Sequence, residues 1–484
     1  MKLKELLKNV EILDIKNISL KKLYDIEVDR VCDNSNGNIT NSLFVCITGE
    51  NFDSHSVASD IQNYVKVFVC EHKIKTDKPY IIVESTRRAL SFICGNFYGN
   101  PVEKMKLICV VGTNGKTTTT YFVKQMLDKL GKRVGLIGTS GVYIKNKRLK
   151  ETLTTPDPML LHKLFYKMER EKCEVVVMEI SAHAISLHKI DNLKSDVTIF
   201  TNFSQDHLDF FKTMENYKQT KLKFFKNNTK YAILNMDDSV SNEIINFIKN
   251  IYPFSTYSLK NSANLSAECN CSINKSDLTI KYSKKIYKTQ FNVPCKFNIY
   301  NLLSAMLACL HLGYNINEVV GVVDKIENVK GRFDVINYKS NKIIIDYAHT
   351  PESLKETLKN IKELTDNEIT VVFGCPGNRD ETKREIMGNL ASKFCRKIII
   401  TTDNPKFENP LRICNQILKG CKNKGIIIED RYDAIKFAIK NAKPNEIILI
   451  AGKGSETYQD INGIEMKYSD YKSVSRCIKT RQNK

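Results

Sequence analysis

The sequence has no uninterrupted apolar run approaching the roughly 20 residues that a membrane-spanning helix needs. Its opening residues, "MKLKELLKNVEILDIKN", lack the apolar core and small-residue cleavage site of a secretory signal. Its fifteen cysteines follow no disulfide-framework spacing. Cys269 and Cys271 are the one close pair, and no second pair joins them at a zinc-like interval. These absences predict reduced thiols, a cytoplasmic setting and no membrane partner. Long-period repeats and low-complexity tracts are also missing. Acidic residues are in short supply: 54 Asp and Glu face 74 Lys and Arg, a net charge of +20. Such a charge can mark a nucleic-acid binder. Here the lysines are spread through every region, and no interleaving of basic and aromatic residues makes a base-stacking surface. The expectation is a lysine-rich solvated surface that suits polyanionic small molecules, with no nucleic-acid partner.

At 484 residues the chain is too long for one core. Residues 1–100 carry short strands ("SLFVCI", "VKVFVC", "YIIVES") and end in the turn-rich "GNFYGNP". From Lys106 the pattern becomes strand then helix, repeated: "KLICVVG", "RVGLIGT", "EVVVMEIS", "VTIFTNFS", "YAILNMDD". Such alternation implies a mainly parallel sheet with helices on both faces. Residues 262–295 read as short antiparallel strands on its periphery. A second series follows Gly331: "KIIIDYAH", "ITVVFGC", "KIIITTD", "GIIIED", "EIILIAGKG". The fold expected is α/β in three domains: a small N-terminal α/β domain (1–103), a central P-loop-type ATPase domain with a mainly parallel sheet (104–330), and a C-terminal Rossmann-like domain (331–484).

The chemistry begins at "VVGTNGKTTTTYFVKQMLDKL", Val110 to Leu130. A strand precedes the loop Gly112, Thr113, Asn114, Gly115, and a helical stripe of Phe122, Val123, Met126, Leu127 and Leu130 follows it. Backbone N–H groups at that helix start can cradle phosphates, Lys116 can neutralise them, and the Thr117 hydroxyl can hold magnesium. The strict P-loop pattern wants glycine five residues before Gly115, where Val110 stands; Gly112 supplies the freedom instead. "VVVMEISAH" places Glu179 and His183 after another strand, and "FTNFSQDHLDFF" places Asp206, His207 and Asp209 after a third. Lys221 lies on a helix fourteen residues beyond His207. Taken alone, His207 reads as a capping or core histidine and Lys221 as a solvated lysine. A shared address at the carboxyl edge of a sheet that opens with a phosphate loop makes them candidates for magnesium and nucleotide. Near the C-terminus, the polar "TTDNPKFENP" interrupts an isoleucine strand at the edge where open α/β sheets bind ligands.

In this order "GTNGKTTT", "TTPDP", "MEISAH", "FTNFSQDHLDFF", "YKQTK", "NIYN", "GRFD", "DYAHTPESL", "RDETKREIMG", "DNPK" and "AGKGSETYQ" resemble the Mur ligases of peptidoglycan synthesis, most of all their MurE branch. The resemblance spans roughly residues 30–475. It implies transfer of the ATP γ-phosphate to a substrate carboxylate, followed by displacement from the acyl phosphate by an amine. The implied partners are ATP, UDP-N-acetylmuramoyl-L-Ala-D-Glu and an amino acid, acting on a monomer with magnesium as cofactor. It gives Lys116, Glu179, His207 and Lys221 the catalytic positions, with Thr117, Glu179, His207 and Lys221 serving the metal and Lys221 carbamylated to N6-carboxylysine. A bare ammonium there would repel magnesium. Gly112, Thr113, Asn114, Gly115, Lys116, Thr117 and Thr118 would hold ATP phosphates, Asn301 adenine, Arg332 phosphate and Asp346 ribose. Asn34, Thr154, Thr155, Ser181 and Lys189 match the uridine-muramoyl pocket. Arg379, Asp403, Asn404, Lys406, Gly452 and Glu456 match the pocket of the incoming amino acid.

The departures are specific. The family's Asp-Ser-Arg reads Asp33-Asn34-Ser35, its Asp-Gly-His reads Asp53-Ser54-His55, its Ser-Ser-His reads Ser181-Ala182-His183, and its Gln-x-Arg reads Leu187-His188-Lys189. Pro376 stands for a glycine and Ser455 for a histidine. Branch members that use meso-diaminopimelate usually carry arginine at Lys406. Lysine keeps the cation and loses the bidentate fork. Diaminopimelate is therefore the expected amino acid, with lanthionine and L-lysine behind it. Another carboxylate acceptor is the alternative to the muramoyl dipeptide.

Overall fold

The computed structural model describes residues 1–49, 52–149 and 153–479. Its first sheet joins β1 (Asp14–Lys16), β2 (Arg30–Cys32), β3 (Ser42–Val45), β4 (Val65–Cys70) and β5 (Tyr80–Ile82) in the order β1-β5-β4-β3-β2. Only β1 runs antiparallel. Buried aliphatic residues of helix Thr86–Phe97 close its core.

The second sheet has eleven strands: β6 (Lys106–Val111), β7 (Val134–Gly138), β8 (Gly141–Ile144), β9 (Lys147–Arg148), β10 (Val175–Ile180), β11 (Val197–Phe200), β12 (Ala232–Asn235), β13 (Phe254–Ser258), β14 (Leu265–Cys271), β15 (Ser276–Tyr282) and β16 (Lys285–Phe291). The strands around β6 are parallel and nearly all Val, Ile, Leu and Met, as burial on both faces requires. β6 lies between β10 and β11, and register sets Ile180 and Phe200 both opposite Val111. The three strands therefore end level, and the segments that follow them meet. Residues 262–295 form the antiparallel group expected at the periphery: the β14–β15–β16 meander makes one edge of this sheet, joined to it by a parallel pairing of β14 with β13.

The third sheet comprises β17 (Asp334–Tyr338), β18 (Asn341–Asp346), β19 (Ile369–Phe373), β20 (Lys397–Ile400), β21 (Gly425–Ile427) and β22 (Ile447–Ala451), in the order β17-β18-β22-β19-β20-β21. All but β17 are parallel to their neighbours. Asp346 pairs with Ala451, Val372 with Ile450 and Phe373 with Ile400, so four strand ends again share one edge. A hairpin of β23 (Tyr458–Ile461) and β24 (Ile464–Lys467), absent from the sequence expectation, packs beside that edge. No helix of the described residues is long and apolar enough to cross a membrane. All fifteen cysteines are free thiols.

A fully buried ion pair ties the last helix, Asp470–Lys479, to helix Arg431–Lys440. Arg431 Nε and Nη2 each donate to Asp470 at 2.8 Å. Asp470→Asn leaves the guanidinium buried without its counter-charge, a change that costs about 3–5 kcal/mol. Urea unfolding is expected to show that loss. A midpoint unchanged from the parent would contradict it.

Candidate active site

The loop after β6 is shaped by the strand end beside it. Thr113 N donates to Asn202 O at 2.9 Å, and Asn114 N donates to Asn202 Oδ1 at 2.9 Å. Thr201 Oγ1 in turn donates to Asn114 O at 2.7 Å. Gly112 permits this approach, because a Cβ there would lie 1.9 Å from Thr201 Oγ1. Gly115, in the left-handed region at φ 82°, starts helix Lys116–Lys129. Its turn rests on Asn301, whose Oδ1 accepts from Thr119 Oγ1 at 3.1 Å. The family resemblance assigns Asn301 to adenine; its side chain is found buried under the loop. Lys116 Nζ donates to Gly112 O and Thr113 O at 3.0 and 2.8 Å, a cation folded back over the loop.

Beside it, Glu179 is wholly buried. Its Oε2 accepts from Thr117 Oγ1 at 3.0 Å, and its Oε1 accepts from Thr139 N at 2.8 Å. Burial raises its pKa, and Lys116 opposes the rise. A carboxylate kept from water in this way gains from a nearby cation. Gly138 allows its placement, since a Cβ would come within 2.2 Å of Glu179 Oε1. His207, left-handed at φ 56°, starts the short helix Leu208–Phe211. Its Nε2 lies 3.3 Å from Asp206 Oδ2 and its ring stands edge-on to His183 at 4.8 Å. Burial opposes the Asp206 charge, but His207, His349 and Lys116 together hold its pKa below the ordinary value.

Lys221 projects from helix Met214–Asn228 into the same space and is buried. Its Nζ donates to Gly112 O at 2.6 Å and lies 4.4 Å over the Tyr217 ring. Burial, then repulsion from Lys116, pulls its pKa well below that of an ordinary lysine. It is thus no solvated helix lysine but a buried amine whose ammonium form is disfavoured relative to an ordinary lysine. Thr117, Glu179 and His207 offer a hydroxyl, a carboxylate and an imidazole, a donor set that suits a hard divalent cation.

The acceptor-side residues split. Thr154 Oγ1 lies 3.0 Å from Thr139 Oγ1, and Thr155 Oγ1 donates to Glu179 O at 2.9 Å, so "TTPDP" abuts Glu179. Ser181 caps helix Ala182–Ser186, and Lys189 pairs with Asp157 at 2.7 Å. Asn34 sits apart in an exposed loop, bonded to its neighbour Asp33.

Across the cleft, the third sheet gathers the amino-acid candidates. Asp403 is buried, and its Oδ2 has no partner among the described residues. Gly452, at φ 112°, lies so close that a Cβ would sit 2.6 Å from that oxygen. Asn404 Oδ1 accepts from Lys453 Nζ at 2.8 Å, and Asn404 Nδ2 donates to Glu456 Oε2 at 3.1 Å. Lys453, fully buried, also donates to Glu456 Oε2 at 2.8 Å. Sequence reasoning passed over it, although it lies within the quoted "AGKGSE". Lys406, at φ 53°, is fixed through its backbone by the new hairpin: its N donates to Asp460 O, and Asn462 N donates to its carbonyl. Burial and the neighbouring Arg379 both lower its pKa, against Asp460. Arg379 Nη1 reaches to 3.7 Å from Asp209 Oδ2 on the opposite side of the cleft.

A turn joins the two sides. Arg332 Nη2 donates to Thr117 Oγ1 at 3.3 Å while its guanidinium lies 4.1 Å over the Tyr347 ring. Asp346 accepts from Phe333 N and Ala348 N at 2.6 and 2.7 Å, which fastens that turn to β18.

Comparison with known proteins gives the same picture. The profile of the Mur ligase middle domain matches residues 110–309, and that of the Mur ligase glutamate ligase domain matches residues 331–454. UDP-N-acetylmuramoyl-L-alanyl-D-glutamate--2,6-diaminopimelate ligase 1 of Clostridium acetobutylicum is 37% identical over 483 residues, covering 96% of this chain and 99% of its own. The Bacillus cereus ligase of the same description is 37% identical, covering 90% of each chain. A solved structure of such a 2,6-diaminopimelate ligase superposes with a TM-score of 0.69 at 26% identity, over 96% of this chain and 99% of its own. The MurF ligase of Thermotoga maritima in complex with ADP shares the fold at TM-score 0.62 and 16% identity, over 94% of this chain and 98% of its own. By its sequence throughout and by its fold, this chain belongs to the Mur ligase family.

Proposed function

We propose that this protein is an ATP-dependent ligase that adds meso-diaminopimelate to the D-glutamyl carboxylate of UDP-N-acetylmuramoyl-L-Ala-D-Glu. The observation that carries the reading is one cleft with two furnished sides. A phosphate loop with buried Glu179, His207 and Lys221 faces a cradle of Arg379, Asp403, Asn404 and Lys406, and Arg332 spans them.

A carboxylate and an amine do not condense at neutral pH without a leaving group. The substrate carboxylate attacks the γ-phosphorus of ATP, the bond to the β-phosphate oxygen breaks, and ADP departs. The loop N–H groups and Lys116 hold the phosphates, and Arg332 adds a second cation where charge accumulates. Thr117, Glu179, His207 and a carbamylated Lys221 would hold magnesium, which when bound neutralises polyphosphate charge near the carboxylate. The lowered pKa of the buried Lys221 supports that modification: the lone pair of the free amine would take up carbon dioxide and release a proton, giving an anionic ligand. In the cradle, the free Asp403 Oδ2 suits the ammonium of the incoming amino acid, and Arg379 with Lys406 suits its distal carboxylate. The amine nitrogen then attacks the acyl carbon and phosphate leaves.

Incubation with the muramoyl dipeptide, ATP, magnesium and a panel of meso-diaminopimelate, lanthionine and L-lysine tests the reading through phosphate release and product mass. Diaminopimelate is expected to react fastest. A charge-assisted hydrogen bond is worth about 1.5–3 kcal/mol, so Lys406→Ala is expected to lower kcat/KM for it roughly 10- to 100-fold, with Lys406→Arg active. No amino-acid-dependent phosphate release would refute the function. Undiminished diaminopimelate use by Lys406→Ala would refute the role of that residue alone.

A further inference from the structure

The reaction outlined above leaves one proton without a destination. The incoming amino acid arrives as an ammonium, which has no lone pair to attack with. Neither Asp403 nor the cations of the cradle can take that proton. Asp403 is engaged as the acceptor that binds the ammonium, and Arg379 and Lys406 bring donors rather than a free lone pair.

His349 stands between the two sides, with Asp206 from one and Lys383 from the other acting on it. It lies three residues beyond the end of β18, just before helix Pro351–Leu364, whose capping box at Thr350 and Ser353 fixes the turn. Its Nδ1 is 2.9 Å from Tyr347 O. A carbonyl oxygen only accepts, so Nδ1 carries the proton and Nε2 presents a lone pair. The ring is further held edge-on to Tyr347 at 4.9 Å, and the His349 carbonyl accepts from Lys383 Nζ at 3.2 Å. The half-buried imidazole thus has one fixed tautomer and one available nitrogen.

Its position joins the two sides of the cleft. β18 pairs with β22, which leads into Gly452 and Glu456 of the amino-acid cradle. The charged groups facing the ring are Asp206 from the segment after β11, Lys383 from helix Thr382–Phe394, and Arg332 from the turn after Gly331. Burial and then Lys383 lower its pKa, while Asp206 opposes them, so the ring is neutral and able to accept at neutral pH.

We propose that His349 Nε2 is the base that deprotonates the attacking amine, a role that rests on the ligase reading above. One proton passes from the ammonium to Nε2, and the freed lone pair forms the bond to the acyl carbon. As the tetrahedral adduct collapses, the carbon–oxygen bond to phosphate breaks and the second nitrogen proton leaves with the phosphate. The imidazolium facing Asp206 then returns its proton to water. His349 has no part in the first half-reaction, formation of the acyl phosphate.

Hydroxylamine separates the two halves, because it also attacks acyl phosphates and is mostly unprotonated at neutral pH. His349→Ala and His349→Gln, each checked for parental thermal unfolding, are compared with the parent using diaminopimelate and using hydroxylamine. With diaminopimelate, kcat is expected to fall about 10²–10⁴-fold, with KM for the amino acid unchanged. Hydroxamate formation is expected to hold its parental rate, and added imidazole or a higher pH should restore amide formation to His349→Ala. An equal fall with both nucleophiles, or a rise in KM with kcat intact, would overturn the role as base. A parent protein that forms no hydroxamate overturns the ligase reading itself, a result seen without any substitution.

Discussion

Lys221→Ala is expected to reduce amide formation by at least about 10²–10³-fold, the loss that follows removal of one preorganised charge from an active site. Water-excluded lysines are usually paired with a carboxylate. This one has the Gly112 carbonyl and the Tyr217 ring as its contacts; Lys116 repels it, and Asp206 and Asp238 act on it only through space. Burial and that repulsion outweigh the two carboxylates, so the pKa falls and the free amine becomes easier to reach than in an ordinary lysine. The free amine is the species that reacts with carbon dioxide, so the environment that lowers the pKa would also favour the proposed modification. Two measurements accompany the activity. Labelled bicarbonate should give the parent a carbamate carbon signal that Lys221→Ala lacks. Formate should restore part of the variant's activity, because a short carboxylate fits the space the side chain vacates. Turnover equal to the parent would end this account of Lys221.

Asp403→Asn is expected to raise KM for the amino acid strongly while acyl-phosphate formation continues. The carboxylate is buried, its Oδ2 has no partner among the described residues, and Gly452 leaves that side open. Truncating one partner of a buried charge pair costs about 2–5 kcal/mol, which corresponds to roughly 30- to 5 × 10³-fold in affinity. The amide keeps the shape and loses the charge, so the effect isolates recognition of the ammonium. Hydroxamate yield reports the first half-reaction separately. A parental KM for diaminopimelate would show that the orphaned oxygen serves another purpose.

The phosphate loop, Glu179 and His207 could be found in the sequence because they lie at the end of an apolar run or in the polar segment that follows one. Parallel strands in register carry such residues to one edge, so local pattern sufficed. Asp403 and Gly452 came instead from the family resemblance, in "DNPK" and "AGKGSE", and they lie beyond β20 and β22. Local pattern could not see that β23 and β24 grip Lys406 through Asp460 and Asn462, a contact between segments more than fifty residues apart. Nor could it see that Lys453 is buried between Asn404 and Glu456, since a lysine reads as exposed until its partners are known. The parallel pairing of β14 with β13 escaped for a related reason: alternation shows that a strand has two faces, and leaves its neighbours unspecified.

The turn that carries Arg332 has a thermodynamic corollary. Phe333 is fastened to β18 through Asp346, and Arg332 touches Thr117 on the nucleotide side. Whatever stabilises that contact also holds the amino-acid cradle over the phosphate loop. Linkage then makes the two ligands mutual effectors: by the factor that nucleotide tightens diaminopimelate, diaminopimelate must tighten nucleotide. Isothermal titration in both orders should return one coupling energy, and Arg332→Ala should drive it toward zero.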